Sequence, residues 1–102
     1  MIKKREKINK KVIIREIEKN GEKLRENGVR KMGIFGSYLR EKQTPRSDID
    51  ILVEFKETSS DNFFGLLFFL ENLFKKKIDL IEIKNLRNEL KNVLEEAEYV
   101  KI

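Results

Sequence analysis

The sequence predicts a small α/β domain, in which helices flank a sheet. Short apolar runs of strand length alternate with longer segments of helical periodicity. The 102 residues suffice for one hydrophobic core, and 39% hydrophobic with 40% charged residues indicates a folded interior beneath a heavily charged surface. We therefore expect residues 1–102 to form a single domain, with a strand order that the pattern leaves open.

The first predicted element is an amphipathic helix over residues 9–27. Ile13, Ile17 and Leu24 fall on one face of this helix, while lysine, arginine and glutamate fill the remainder. The Asn-Gly pair that ends at Gly28 supplies a turn and a stop signal, so the helix is expected to finish there.

Three strands are predicted from their apolar content. The first covers residues 29–35 and ends abruptly at Gly36, after which a short helix is expected from Ser37. Residues 49–55 are the most strand-like segment of the chain, and residues 77–83 alternate as a strand does. These three strands make the predicted sheet.

Two further helices are predicted in the second half of the chain. The stretch from Phe63 to Phe74 is apolar around most of its circumference and too long for an ordinary strand, with an N-cap expected at Ser60 or Asp61. A second helical stripe follows nearer the C-terminus, at Leu86, Leu90, Val93, Leu94 and Ala97. The tail, residues 99–102, is a candidate short strand.

Composition excludes several classes of chemistry. The sequence has no cysteine and no histidine, which removes disulfides, thiolate catalysis and the commonest general base. Carboxylates, lysine, arginine and hydroxyl groups remain. No segment approaches the roughly 20 apolar residues of a membrane span, so we expect a soluble, cytoplasmic protein. The net charge is +5, but 18 acidic residues are interspersed among the basic ones, which argues against nucleic-acid binding as the main function.

A candidate site is formed by residues at two strand boundaries. Gly36 and Ser37 directly follow the first strand, where backbone N–H groups and a hydroxyl can meet phosphate oxygens. Asp48 and Asp50 open the second strand two residues apart, so both side chains project from one face, about 6–7 Å apart along the backbone. Carboxylates at this spacing can share Mg²⁺, and two such ions can stabilise an in-line displacement at phosphorus.

Asp79 lies in the third strand, between two apolar residues. A charge in such a strand is costly if it is buried without a partner. Placed beside Asp48 and Asp50, it would serve as a third metal ligand or as the base that accepts a proton from an attacking hydroxyl. Considered alone, each of these features also fits an ordinary turn, cap or edge residue, so the interpretation depends on their combination.

The combination resembles the minimal nucleotidyltransferases of the DNA polymerase β-like superfamily. The resemblance is carried by Gly-Ser-Tyr-Leu-Arg from Gly36, by Ser-Asp-Ile-Asp-Ile-Leu-Val-Glu-Phe from Ser47, and by Lys-Ile-Asp-Leu-Ile from Lys77. It spans from Val29 to the C-terminus. It implies the small nucleotidyltransferase fold, a mixed sheet with flanking helices.

The resemblance also implies a function, because members of this family are commonly antitoxins encoded with a HEPN-domain ribonuclease toxin. The implied reaction is transfer of AMP from ATP, or of another NMP, to a hydroxyl of the toxin, with two Mg²⁺ ions. Carried over by position, Gly36, Ser37 and Arg40 would bind the nucleotide. Asp48, Asp50 and Asp79 would be the catalytic, metal-binding carboxylates.

Two residues beside the phosphate loop depart from the family pattern. Family members typically read Gly-Ser-x-Ala-Arg-Gly, whereas this chain has Leu39 in place of alanine and Glu41 in place of the final glycine. These changes bear on the shape of the loop and on nucleotide access. The acceptor residue, the preferred base and the number of nucleotides transferred are left open.

Other functions compete with this interpretation. The runner-up is a non-catalytic antitoxin that neutralises its partner by binding alone. Nucleotidylation of a small molecule is a third reading, weakened because the chain has little room for an acceptor-binding domain. The apolar stretch from Phe63 to Phe74 bears on partners, since a domain of this size struggles to surround it completely. We expect part of it to form a protein–protein interface, with the HEPN toxin as the candidate partner.

Overall fold

A four-stranded mixed sheet organises the computed structural model, which describes residues 7–102. The strands are β1 (Val29–Phe35), β2 (Ile49–Phe55), β3 (Ile78–Glu82) and β4 (Glu98–Val100). Their order in the sheet is β3-β2-β1-β4. Strand β1 runs antiparallel to β2 and to β4, whereas β2 and β3 are parallel. The sheet is therefore mixed, as expected.

Helices complete the fold around this sheet. The α-helices are α1 (Lys10–Lys19), α2 (Gly21–Glu26), α3 (Gly36–Leu39), α4 (Ser60–Phe74) and α5 (Asn92–Glu96), and two 3₁₀ turns lie at Ile83–Asn85 and Asn88–Leu90. Among residues 7–102, no helix has the length and apolar content needed to cross a membrane.

The main core lies between one face of the sheet and the helices α1, α2 and α4. Alternate residues of β2, among them Ile49 and Ile51, are fully buried there together with Leu70 of α4. Because successive side chains of a strand point to opposite faces, Asp50 lies on the other face. This alternation keeps the carboxylate out of the apolar core.

The first predicted helix is two helices in the structure. The break occurs at Asn20, whose side-chain amide donates to the backbone oxygen of Glu16 at 2.7 Å. Asparagine competes for local backbone hydrogen bonds and glycine favours non-helical backbone, so the Asn20-Gly21 pair interrupts the periodic pattern. The predicted apolar face is correct, since Ile13 and Ile17 are completely buried.

The prediction of one C-terminal helix is wrong, because the segment does not form a continuous helix. The segment instead forms the 3₁₀ turn Asn88–Leu90 and the short helix α5, and none of the residues 86–96 is buried. Helices in proteins gain most of their stability from packing an apolar face, and this stripe finds little surface to pack against. The predicted short strand in the tail is confirmed as β4.

Helix α4 begins slightly before the predicted position. The side chain of Ser59 caps it by accepting from the backbone N–H of Asn62 at 3.0 Å, so neither Ser60 nor Asp61 is the N-cap. Phe64 and Phe68 remain 50% and 63% exposed. The expectation that the domain cannot surround this helix completely is therefore confirmed.

Helix α3 ends in a turn that normally contains glycine. The N–H of Lys42 donates to the carbonyl of Ser37 at 2.9 Å, and the N–H of Glu41 donates to that of Tyr38 at 3.3 Å. These two bonds define a Schellman motif, whose left-handed position is occupied here by Glu41 with φ of 57°. The loop thus has the left-handed backbone conformation that glycine favours, although the residue at this position is Glu41.

We predict that Glu41→Gly stabilises the protein by about 1 kcal/mol, because glycine adopts the left-handed conformation without the Cβ penalty. Thermal or urea unfolding followed by circular dichroism would measure the change. Glu41→Ala is the matched control, since it removes the same side chain but keeps a Cβ, and it should give no comparable gain. Equal effects of the two substitutions would contradict the explanation.

Candidate active site

The predicted site residues meet at the edge of the sheet where β1 ends and where β2 and β3 begin. In the register of the strands, Asp50 of β2 lies between Phe35 of β1 and Asp79 of β3. The sheet therefore places the carboxyls of Asp50 and Asp79 side by side, although 28 residues separate them along the chain. Asp79 is exposed, whereas Asp50 is half-buried.

The turn after β1 is built closely around Asp50. Gly36 has φ of 73°, and a Cβ at this position would overlap the carboxylate oxygen Oδ2 and lie 2.8 Å from Cγ of Asp50. The backbone N–H of Ser37 donates a hydrogen bond to the same carboxylate. The positive φ and the close approach of Asp50 both exclude a larger residue at position 36, so the position of Asp50 requires a glycine there.

The ionisation of Asp50 shows how tightly the carboxyls are grouped. Burial raises the pKa of Asp50 from 3.8 to about 6, and it is assisted by the charge of Asp79, by a hydrogen bond with that carboxyl, and by the charge of Asp48. The N–H of Ser37 opposes this increase. A pKa raised by neighbouring carboxylates marks a site that a proton or a cation stabilises.

Asp48 lies immediately before β2 and is exposed to solvent. Its charge contributes to the raised pKa of Asp50, which places it within electrostatic reach of the pair. Within residues 7–102, however, no three acidic, histidine or cysteine side chains surround a common point as a ready-made metal cage. The structure thus brings Asp50 and Asp79 into contact and keeps Asp48 at the rim.

This donor set fits a hard divalent cation that arrives with a nucleotide. Mg²⁺ seldom occupies a cage built only from protein; it usually takes one or two carboxylates and completes its shell with phosphate oxygens and water. Burial and the charges of Asp79 and Asp48 raise the pKa of the Asp50 carboxyl, and a dication would relieve the same repulsion. Asp48 at the rim can supply a further oxygen.

Ser37 and Arg40 lie at opposite ends of α3. Since the Ser37 N–H donates to Asp50, the Ser37 hydroxyl is the group that remains for a phosphate. Because α3 has only four residues, its dipole adds little to phosphate binding at Ser37.

Arg40, which is also predicted to bind the nucleotide, forms an ion pair in the structure. Its Nη2 donates to Oε2 of Glu96 at 3.0 Å. Sequence analysis missed Glu96, because no motif links two exposed residues so far apart.

Comparison with known proteins agrees with the fold and the motifs. The family described as "Nucleotidyltransferase domain" matches residues 14–100. The chain is 49% identical over 67 residues to a candidate protein adenylyltransferase, MJ1215, of Methanocaldococcus jannaschii, a match that covers 64% of this chain and 78% of the relative. It is 43% identical over 75 residues to the protein adenylyltransferase MntA of Thermococcus cleftensis, covering 72% and 76%.

Solved structures share the same architecture. A candidate minimal nucleotidyltransferase superposes with a TM-score of 0.78 at 26% identity, covering 89% of this chain and 95% of the other. A toxin–antitoxin structure with AMP-PNP gives 0.66 at 24% identity, covering 80% and 70%. A tri-AMPylated Shewanella oneidensis HEPN toxin in complex with its MNT antitoxin gives 0.59 at 22% identity, covering 84% and 70%. At these identities the last two show the fold alone.

The family match covers most of the chain, and the similarity to MntA extends over three quarters of that relative. Together with the Gly-Ser turn folded around Asp50, this similarity identifies the chain as a member of the nucleotidyltransferase-domain family, among the minimal nucleotidyltransferases related to MntA.

Proposed function

We propose that this protein is an antitoxin that transfers AMP from ATP to a hydroxyl group of a HEPN-domain toxin, with Mg²⁺ as cofactor. The observation that carries the proposal is the contact between the Asp50 and Asp79 carboxyls beside the Gly36-Ser37 turn. The similarity to the adenylyltransferase MntA and the fold shared with the antitoxin of an AMPylated HEPN toxin support the same conclusion.

In the proposed reaction, a hydroxyl oxygen of the toxin attacks the α-phosphorus of ATP. A new P–O bond joins AMP to the toxin, and the bond to the β-phosphate oxygen breaks, so pyrophosphate leaves. When bound, Mg²⁺ supplies the positive charge that neutralises the reacting phosphate oxygens. The energetic contribution of the protein is to position these groups and to stabilise the charge they develop.

Each site residue has a role in this scheme. Asp48 and Asp50 would hold the metal, and the hydroxyl of Ser37 would bind the β- or γ-phosphate. Asp79 lies at the exposed side of the pair, where an acceptor can approach, and it receives the hydroxyl proton or completes the metal shell. Arg40 binds phosphate only after its ion pair with Glu96 breaks. The guanidinium then replaces one anionic partner with another at an exposed site.

The proposed acceptor is a protein that binds this chain directly, which the similarity to the protein adenylyltransferase MntA supports. Asp79 is exposed at the edge of the sheet, so a partner can bring its own hydroxyl to the carboxyl pair. The non-catalytic antitoxin remains the competing hypothesis, because it uses the same fold and the same partner.

We predict that Asp48→Asn/Asp50→Asn abolishes AMP transfer, by at least about 100-fold, because the metal loses its fixed carboxylates. Intact-mass analysis of the cognate toxin, incubated with the protein, ATP and Mg²⁺, would show added AMP only for the wild type. Glu89→Gln removes an exposed carboxylate outside the site and is the control expected to stay active. A toxin that is silenced without any mass increase, by wild type and double variant alike, would establish the binding-only antitoxin.

We also predict that Asp50→Asn stabilises the metal-free protein at neutral pH. The folded-state pKa of Asp50, about 6, lies above the ordinary value of 3.8. The native state therefore binds more protons than the unfolded state between these values, and its stability falls as pH rises through this window. Because solvent screens a half-exposed carboxylate, we expect a gain of about 1 kcal/mol above pH 6 and little gain below pH 4.

Thermal unfolding in EDTA as a function of pH would measure this difference. Added Mg²⁺ should raise the melting temperature of the wild type more than that of Asp50→Asn, since ligand binding to the native state stabilises it. Glu89→Gln should reproduce the wild-type response. If Asp50→Asn were less stable than the wild type at neutral pH without metal, the proposed repulsion at the carboxyl pair would be wrong.

A further inference from the structure

Helix α4 presents one continuous exposed stripe to solvent. The stripe recurs at intervals of three and four residues and consists of Asp61, Phe64, Gly65, Phe68, Asn72 and Lys75. The opposite side of the helix, with Leu66 and Leu70, packs in the core. Helical positions at this spacing form a seam along one face, which is the geometry through which two helices pair.

The middle of the stripe is apolar and unusually open. The rings of Phe64 and Phe68 stack on each other at 6.3 Å between centroids, yet half or more of each side chain is exposed. Between them, a Cβ at Gly65 would have no neighbour within 4 Å. A glycine here lets another backbone approach closely. Two exposed aromatic rings beside such a gap are typical of a surface that another protein covers.

A groove runs along the stripe, between α4 and α2. It has a volume of about 430 Å³ and is lined by Gly65, Phe68, Phe69 and Asn72 on one side and by Lys23 and Leu24 of α2 on the other. The ammonium group of Lys23 lies 4.8 Å from the ring centre of Phe69, so a cation–π contact links the two helices here. The volume of the groove exceeds that of an aromatic side chain.

The charges at the two ends of the stripe are opposite and equally spaced. Asp61 lies seven residues before Phe68, in the first turn of α4, and Lys75 lies seven residues after it, at the C-cap. Two such helices in antiparallel orientation bring the Asp61 of each copy opposite the Lys75 of the other. A parallel pair would instead place like charges together, which is destabilising. Antiparallel pairing also aligns the helix dipoles favourably.

We propose that α4 is a self-association surface, which binds the same stripe of a second copy of this chain in antiparallel orientation about a two-fold axis at Phe68. Phe68 of the two copies meet on the axis, and Phe64 of each copy faces Asn72 of the other, where it enters the groove. The surface is thus self-complementary in shape and in charge, as a two-fold interface requires.

This surface is distinct from the proposed active site. Leu66 and Leu70 pack on the face of the sheet that carries Ile49 and Ile51, whereas Asp50 lies on the opposite face. A hydroxyl that approaches the carboxyl pair therefore comes from the other side of the molecule. Pairing through α4 leaves both sites of the dimer open, so the proposal does not depend on the identity of the acceptor.

A charge-reversal experiment tests the proposal by sedimentation velocity at low ionic strength across a wide concentration range. The wild type should reach twice its monomer mass of 12.2 kDa. Asp61→Lys and Lys75→Asp should each weaken association by about tenfold or more, because each creates two like-charged contacts. An equimolar mixture of these two single variants should associate again, since each then faces its opposite charge. Circular dichroism would establish that both variants are folded.

Phe68→Asp provides a second, independent variant, because it places two negative charges on the two-fold axis and should leave a monomer. A wild type that associates more tightly than either single variant, together with restored association in the mixture, supports the antiparallel pairing, since a parallel pair would place like charges together in the wild type as well. A wild type that remains monomeric at the highest concentration would overturn the proposal. So would a mixture no tighter than either variant alone, or a Phe68→Asp variant that loses toxin binding while the wild type is a monomer.

Discussion

The carboxylate of Asp50 is the group around which the functional end of the molecule is arranged. It requires a neighbour without a Cβ at Gly36, it accepts the N–H of Ser37, and it lies beside the carboxyl of Asp79, whose charge raises its pKa. These contacts come from two distant parts of the chain, the turn after β1 and strand β3, and the sheet supplies the alignment. Strand β2, at the centre of this arrangement, is bordered by β1 on one side and β3 on the other.

The same carboxylate shows why stability and function conflict at this edge. A half-buried acid beside two others is unfavourable when it is charged, as its raised pKa records. An amide would remove the repulsion and also remove the proposed metal ligand. Sites of this kind persist because the surrounding structure, here the fully buried Ile49 and Ile51, holds the strand in place despite the local cost.

Local patterns predicted much of the fold. The bounds of β1 and β2 match the structure, because each is an apolar run that ends at a glycine or at a polar segment. The break at Asn20 was missed because the apolar period continues across it. The irregular segment before β4 is not predicted, because its apolar residues recur with a helical period although the fold leaves that stripe largely uncovered. Apolar periodicity indicates which face of a helix could pack, but it does not show whether the rest of the fold offers a surface to pack against.

The residues of the candidate site could be predicted from the sequence, but the contacts between their side chains could not. A Gly-Ser turn before paired aspartates is a local signal, so Gly36, Ser37, Asp48 and Asp50 could be found from the sequence. The register that sets Asp50 beside Asp79 depends on strand order, which pattern alone left open. The ion pair between Arg40 and Glu96 depends on where the C-terminal segment lies, and the sequence around either residue does not predict it.

The parallel pairing of β2 with β3 has a consequence for how the protein assembles. Strands β1 and β2 are antiparallel neighbours, which a loop can bring together early, whereas β3 reaches β2 only after α4 has crossed the sheet. Contacts between residues distant in sequence form slowly, because closure of the intervening chain costs entropy. We therefore expect Asp50 and Asp79 to meet late, so that nascent or partly folded chains lack the proposed cation-binding pair.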